Sequence, residues 1–155
     1  MTEQSSKGEP IYADRLTGES FSDARSMVSK YLETLAEEYE LPMLTLDRSG
    51  HAEIRLGGAS IGINVLERQG VLMIFAPVKR VPSTPPEAFY RRLLEASFVS
   101  TQDAGFAIDA SRSDVVLRTL RRLSALDYEE FEDLIVTVGN MANFWGDQLD
   151  LEFGS

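Results

Sequence analysis

Residues 51–76 decide the fold, and they read HAEIRLGGASIGINVLERQGVLMIFA. On both sides of Gly57-Gly58, apolar residues alternate with polar or small ones, which is the period-2 pattern of half-buried β-strands. Gly57-Gly58 is itself a two-residue hairpin signal, and Gln69-Gly70 marks a second turn. Connections this short join antiparallel strands, because a parallel crossover needs about a dozen residues. The stretch therefore predicts an antiparallel meander.

A helical pattern precedes the meander. We expect the first helix to begin with Ser22 as its N-cap and to run to Tyr39 or Glu40, where Pro42 stops it. Between this helix and the meander, the short apolar segment 43–47 is interpreted as a further strand.

Two more helices and a hairpin follow the meander. The second helix is expected to begin at Pro85 or Pro86, because proline is tolerated in a first turn. Residues 104–110 and 114–123 predict a hairpin, and the last helix opens at Asp127 with an acidic capping box. The order is α-β-β-β(-β)-α-β-β-α, without strand–helix–strand alternation. We therefore expect a single α+β domain, an antiparallel sheet flanked by three helices.

The chain length of 155 residues suits one compact domain. Residues 1–20 are polar and show little periodicity, so we expect a flexible N-terminal extension. The folded domain is expected to span 21–150. The tail 151–155 resembles a junction left by cloning and is given no functional weight.

The composition excludes several classes of partner. A net charge of −10 repels phosphate backbones and anionic lipid surfaces, so neither nucleic acid nor membrane is expected as a partner. Cysteine is absent, which excludes a disulfide framework and a cysteine nucleophile. No apolar run reaches the length of a membrane span, and the N-terminus lacks the apolar stretch of a secretory signal. These features predict a cytoplasmic protein.

Catalytic chemistry is hard to find in the sequence. The chain has one histidine, His51, and a single imidazole cannot supply the usual histidine ligands of a metal site. The segment 57–62 lacks the Lys-Ser/Thr of a phosphate loop and joins two strands. The acidic residues fall on predicted helix surfaces or in the first turn of the last helix, where the helix dipole favours them. We expect no cofactor, no metal and no enzymatic activity.

The first helix carries an unusually wide apolar arc. Its apolar positions cover roughly 180°, more than one packed face needs, and they are Met27, Val28, Tyr31, Leu32, Leu35, Ala36 and Tyr39. One interpretation is that the helix lies in a crevice and buries both flanks. The other is that one flank packs on the sheet and the second holds a bound chain. The periodicity leaves both open.

Several segments between about Ser22 and Leu149 share an order and spacing that together say more than any single motif. They are the first helix ending in Leu41-Pro42, the stretch 44–50, Ala76-Pro77 and Val81-Pro82, the hairpin of 106–109 with 115–117, and 123–127 leading through Phe131. This arrangement resembles the class I chaperones of type III secretion, the Tir chaperone family.

The resemblance implies a protein that holds another chain. Such chaperones form dimers and bind the N-terminal segment of a secreted effector, which wraps the dimer in a non-globular form. Effector side chains enter apolar patches of the first helix and adjoining strands, and an effector strand extends the sheet. A secretion-associated ATPase elsewhere strips the effector off. The high negative charge would keep such an apolar surface soluble.

The resemblance also implies site residues. The expected effector contacts are Leu32, Leu35, Tyr39, Met43 and Leu44. The expected contacts of a homodimer are Phe89, Tyr90, Leu93 and Val116. The N-terminal extension departs from the family pattern, in which the first helix starts almost at once, and leaves open whether it covers the binding surface.

Two alternatives remain at this point. The same architecture could bind a regulator or a secretion component and have no effector client. A small hydrolase that uses paired carboxylates is the other alternative, since acidic residues are plentiful.

Overall fold

The computed structural model describes residues 12–99 and 101–154, which form one α+β unit. Its helices are α1 (Ala24–Glu38), α2 (Glu87–Val99) and α3 (Tyr128–Phe153), with a short 3-10 helix at Leu123–Ala125 before α3. Its strands are β1 (Tyr12–Ala13), β2 (Ser20–Phe21), β3 (His51–Leu56), β4 (Ala59–Leu66), β5 (Val71–Arg80), β6 (Gly105–Asp109) and β7 (Asp114–Arg122). Three helices and an antiparallel sheet confirm the predicted fold class.

Five strands form the main sheet in the order β3-β4-β5-β7-β6, and every neighbouring pair is antiparallel. The predicted meander is present, with Ile54 opposite Ile61 across the first hairpin. Both glycines of that hairpin have positive φ, a conformation that glycine adopts without a steric penalty. Strands β3 and β6 are the two edges of the sheet.

Helix α3 lies across the sheet and closes the core. It contacts β4, β5 and β7. A Cβ at Gly139 would lie 3.1 Å from Cδ1 of Ile61, and one at Gly146 would lie 3.1 Å from the carbonyl oxygen of Val78. These two glycines, poor helix formers, therefore permit a close approach between the helix and the sheet.

The N-cap residues of α1 and α3 were predicted with different success. Asp127 caps α3 as expected, because its side chain accepts a hydrogen bond from Glu130 N–H at 2.8 Å. For α1 the predicted cap Ser22 is wrong by one residue. Asp23 has the extended backbone of an N-cap, and its Oδ1 accepts from Ser26 N–H at 2.7 Å.

Residues 43–47 do not form the strand that their apolar pattern predicted. A strand needs a paired neighbour, and within the described residues the hydrogen bonds between this segment and β3 involve Asp47 and His51 alone. Asp47 N–H donates to the His51 carbonyl at 2.8 Å, and His51 N–H donates to Asp47 Oδ1 at 3.0 Å. Leu44 and Leu46 pack instead against the core as half-buried side chains. The sheet therefore has β3 as its edge.

Regular secondary structure is present on both sides of the predicted domain of residues 21–150. Residues 1–11 of the predicted extension lie outside the described residues. Residues 12–21 form a small antiparallel hairpin of β1 and β2, in which Tyr12 pairs with Phe21. Helix α3 continues to Phe153, three residues beyond the predicted end of the domain at 150.

Candidate functional site

The wide apolar arc of α1 is buried on both flanks from Met27 to Ala36. Leu32 and Leu35, two of the predicted effector contacts, are fully buried in the core. The helix contacts β1, β2, β4 and α3, so both flanks have neighbours within the domain. Neither leucine therefore offers surface to a partner in this conformation. The crevice interpretation of the arc is the one that the structure supports.

The other three predicted effector contacts lie just beyond α1. Tyr39 and Met43 are exposed, the latter with 81% of its surface accessible, and Leu44 is half-buried. Within the described part of the chain, the backbone of residues 42–46 forms no backbone–backbone hydrogen bond. Burial alternates along residues 43–46, as it does along a half-buried strand, but the segment has no strand partner within the described residues. A segment of this kind can accept an added strand from another chain.

Helix α2 differs from α1, because only part of its apolar arc is covered. Phe89 and Leu93, two of the predicted dimer contacts, are buried against the core, whereas Tyr90 is exposed. Leu94 and Phe98 continue the row that Tyr90 begins, at four-residue spacing, and are 74% and 88% exposed. The open flank of α2 is thus an apolar stripe.

Strand β6 extends the apolar stripe of α2. A small cavity of about 160 Å³ lies between the helix and the strand, lined by Tyr90, Leu93, Leu94, Phe106, Ala107 and Ile108. Its volume is below the roughly 300–1,000 Å³ of typical small-molecule sites, so it fits a side chain better than a ligand. Val116, the remaining predicted dimer contact, is buried, whereas Ile108 on the edge strand is exposed.

Helix α2 is held to the end of α3 by a small group of contacts. The Arg92 guanidinium lies 5.0 Å from the ring centre of Trp145 and its Nε donates to Oε2 of Glu152 at 3.0 Å. Phe89 meets Phe153 edge to face at 5.3 Å between ring centres. These contacts fix the inner side of α2 and leave its outer side free.

The main sheet also leaves part of one face accessible. Leu72, Ile74 and Ala76 of β5 point into the core, while Met73 and Phe75 on the opposite face are half-buried. Gly62 lies under the Phe75 ring, where a Cβ would approach Cζ to 2.4 Å. The glycine therefore makes room for the ring on this face.

The N-terminal hairpin is attached to the domain through one buried carboxylate. Asp14 is 2% exposed. Its Oδ1 accepts from Leu16 N–H and Thr17 N–H, and its Oδ2 accepts from Tyr128 N–H at 2.9 Å. Burial raises the pKa of the Asp14 carboxyl, but the hydrogen bonds from Tyr128, Thr17 and Leu16 outweigh burial and hold that pKa below its ordinary value.

An aromatic group continues the attachment of the hairpin. Phe21 meets Tyr31 of α1 edge to face at 5.9 Å, and Tyr31 in turn lies 5.7 Å from Tyr128 between ring centres. The Tyr31 hydroxyl donates to the Leu126 carbonyl at 3.1 Å. Burial, followed by the Asp14 charge, raises the pKa of Tyr31, so this hydroxyl stays protonated and remains a donor.

The single histidine is engaged in the sheet. His51 Nδ1 lies 2.7 Å from Oδ1 of Asn64, its cross-strand neighbour on β4. In residues 12–99 and 101–154, no group of three or more His, Asp or Glu side chains is placed to hold a metal ion. Within the same ranges, no helix combines the length and the apolar character needed to cross a membrane.

Sequence reasoning did not select three exposed apolar residues of α2 and β6 as site residues. Leu94 and Phe98 follow Tyr90 at four-residue spacing, so the helical period that identified α2 already contained this signal. Ile108 was assigned to the predicted hairpin, but its exposure depends on β6 being an edge strand. We use the name α2–β6 surface for Tyr90, Leu94, Phe98 and Ile108.

The comparisons with known proteins agree with this architecture. A chain in the crystal structure of the ExsC–ExsE complex matches with a TM-score of 0.71 and 25% identity, covering 82% of this chain and 96% of that one. The heterodimeric ExoU–SpcU complex of Pseudomonas aeruginosa type III secretion gives a TM-score of 0.59 at 20% identity, covering 78% and 96%.

A third similar structure is the Yersinia pestis type III secretion chaperone SycH in complex with a stable fragment of YscM2. It gives a TM-score of 0.55 at 14% identity and covers 74% of this chain and 95% of the other. At this identity the likeness concerns the fold alone. Comparison with curated protein sequences gave no match.

A family-level match completes the comparison. The description "Tir chaperone protein (CesT) family" applies to residues 30–145, a range that extends from α1 into α3 and includes the whole five-stranded sheet. The chain therefore belongs to the Tir chaperone protein family.

Proposed function

We propose that this protein is a type III secretion chaperone that binds the N-terminal segment of a secreted effector and keeps it soluble and non-globular. The observation that carries the proposal is the segment 42–46, whose backbone forms no backbone–backbone hydrogen bond within the described residues. Exposed Met43 and Tyr39 lie beside this backbone. Family membership supports the same role. We further propose that the protein acts by binding alone, without a catalytic step, in the cytoplasm before secretion.

An extended effector segment suits this surface physically. An incoming strand would satisfy the free backbone groups of residues 42–46, and its side chains would cover Met43 and Tyr39. Ordering a disordered segment costs roughly 2–5 kcal/mol, so useful affinity requires burial of about 1,000–3,000 Å². One small patch cannot supply that area. The effector must therefore wrap a large part of the chaperone.

We propose that a homodimer supplies the larger surface, with the α2–β6 surface as its interface. The exposed row of Tyr90, Leu94 and Phe98 would lie against the same row of a second copy, as an isologous dimer requires. Of the expected dimer contacts, this assignment retains Tyr90 in the interface. The buried residues Phe89, Leu93 and Val116 would support the interface from beneath. A secretion-associated ATPase is the proposed partner for effector release.

Co-expression with the product of a neighbouring gene tests the effector proposal. We expect the client to become soluble and to co-purify, and its bound segment to be protected from protease, because that segment is paired and covered by the chaperone. Met43→Asp should reduce co-purification about tenfold or more, because a charge would replace an apolar contact that the bound client is expected to bury. Leu151→Asp is the matched control, since Leu151 is exposed to a similar degree at the far end of α3. Equal recovery of client with both variants would contradict this placement.

Light scattering tests the dimer. The purified protein is expected to have twice the mass of one chain, and Leu94→Asp is expected to give the monomer mass. Leu16→Asp serves as the control, because Leu16 is an exposed leucine on the N-terminal hairpin, away from α2. A dimer that survives Leu94→Asp would place the interface elsewhere.

A further inference from the structure

The tip of the N-terminal hairpin exposes an apolar side chain to solvent. Leu16 is 64% exposed, although the turn that carries it is fixed from both sides. Asp14 accepts hydrogen bonds from Leu16 N–H within the turn and from Tyr128 N–H in the first turn of α3. The hairpin tip is therefore a fixed wall of the domain, and among the described residues Leu16 projects from it largely uncovered.

This wall closes one side of a groove. The groove has a volume of about 660 Å³ and lies between the hairpin tip, the end of α1 and the first turns of α3. Its apolar lining is Leu16, Tyr39 and Val136. Between these side chains lie carboxylates of α3 and its cap, namely Asp127, Glu129, Glu130, Glu132 and Asp133.

Within residues 12–99 and 101–154, most of the groove's carboxylates have no cationic partner. Glu130 is paired with Arg121 at 3.1 Å, but no salt bridge of Glu129, Glu132 or Asp133 is found within the described residues. Burial, followed by the neighbouring Glu38 carboxyl, raises the pKa of Glu132. Negative charge is therefore crowded here, and a positive side chain from outside would relieve the repulsion.

We infer that this groove, with Leu16, Tyr39 and Val136 between its carboxylates, is a docking site for an amphipathic cationic segment of the bound partner. An apolar side chain of that segment would lie against Leu16, and adjacent Lys or Arg side chains would pair with the carboxylates. The inference depends on the proposed function for the identity of the partner, an effector segment. To the proposed function the inference adds the chemistry of the bound segment and a contribution of the N-terminal hairpin to the binding surface.

Charge selects this occupant over the alternatives. A second copy of the chain brings a net charge of −10 and would be repelled by the carboxylates. Nucleic acid and anionic lipid are repelled for the same reason. Tyr39 links the groove to the segment 42–46, so one partner chain can run across both surfaces.

The first experiment tests the apolar wall. The probe is a synthetic peptide of about 15 residues, roughly four helical turns, with Leu and Lys at helical spacing. Fluorescence anisotropy measures its affinity for the full chain. Leu16→Ser should weaken binding about tenfold, because a covered leucine contact is lost. Leu151→Ser, the same change at another exposed leucine, should leave the affinity unchanged.

The second experiment tests the charge. Neutralising the groove acids (Glu129→Gln, Glu132→Gln and Asp133→Asn) should weaken binding about fivefold or more at about 0.05 M salt, and the effect should shrink near 0.5 M. The control neutralises three exposed acids elsewhere, so that the net charge is the same: Glu53→Gln, Glu67→Gln and Asp147→Asn. A matched peptide with Glu in place of Lys should not bind.

The outcomes separate this inference from the proposed function. Equal losses in the groove and control variants, or no binding to the unchanged protein, would overturn the groove assignment. A co-expressed client that still needs Met43 would then leave the chaperone proposal standing. Conversely, selective loss with the groove variants supports the groove even if no effector client is recovered.

Discussion

Helices α1 and α2 both carry an apolar arc wider than one packed face requires, yet the two arcs are buried to different extents. Helix α1 buries its arc from Met27 to Ala36 within the domain. Helix α2 buries Phe89 and Leu93 and leaves Leu94 and Phe98 open to solvent. The periodicity of the two segments is alike, so the pattern itself does not reveal which helix keeps a free flank.

The number of neighbours explains the difference. Helix α1 lies among the hairpin β1–β2, strand β4 and helix α3. Helix α2 lies at the edge of the sheet, where β6 and the end of α3 cover only its inner side. An apolar arc of this width becomes an interaction surface only when the fold leaves one flank without a neighbour. The following changes test that explanation, from the largest expected effect to the smallest.

Leu35→Asp should abolish the fold. A carboxylate would replace a fully buried leucine without a polar partner, at a cost of about 4 kcal/mol or more, comparable to the stability of many domains. Circular dichroism and urea unfolding measure the loss. The same change on α2, Leu94→Asp, should alter the unfolding free energy of the monomer by less than about 1 kcal/mol.

The pair of variants can contradict the comparison directly. If Leu35→Asp folds normally and only loses its partner, the buried arc of α1 must open in solution. If Leu94→Asp unfolds the monomer, the outer side of α2 must be covered by the domain itself.

Asp14→Ala should loosen the hairpin that closes the outer flank of α1. Three backbone N–H groups lose their acceptor, so the unfolding free energy should fall by about 2 kcal/mol near neutral pH. Because the folded-state pKa of Asp14 is lowered, its stabilisation is present above the ordinary value of 3.8 and is lost as the pH falls through the folded-state pKa. The difference between wild type and variant should therefore vanish in strong acid.

Urea unfolding over a range of pH values measures this effect. Asp14→Asn keeps one acceptor oxygen and should lose less stability than Asp14→Ala. Hydrogen exchange at Tyr31 and its neighbours should increase in the alanine variant. A variant as stable as wild type would show that the hairpin is not held by this carboxylate.

Glu95→Gln should have the smallest effect. It removes the pair between Arg91 Nε and Glu95 Oε1, 2.8 Å apart on the solvent face of α2, where both side chains are largely exposed. The expected change in unfolding free energy is below about 0.5 kcal/mol. The mass in light scattering should stay that of the dimer. A monomer would show that the interface extends from the apolar row onto the charged face.

Local signals were sufficient for much of the fold. The meander follows from alternation and from turns such as Gly57-Gly58, whose conformations are decided by a few adjacent residues. The start of α3 follows from the cap at Asp127 for the same reason. The family resemblance also rested on element order, which these signals give.

Contacts between distant residues explain what the sequence did not predict. The hairpin of residues 12–21 depends on a hydrogen bond from Tyr128 to Asp14, more than a hundred positions apart. The segment 43–47 has a strand-like pattern but lacks the neighbour that would make it a strand. Of the predicted effector contacts, Leu32 and Leu35 are buried because several elements converge on α1.

The sequence by itself determined the class and the order of the elements, the meander, the acidity and the membership in a family of chaperones, because each depends on local pattern or on the whole composition. Only the tertiary structure decided which apolar side chains remain outside. Leu35 and Leu94 have the same side chain and similar helical surroundings in sequence. The two side chains differ in solvent exposure because exposure depends on the elements that pack around a helix. Those elements are brought together by residues far away along the chain.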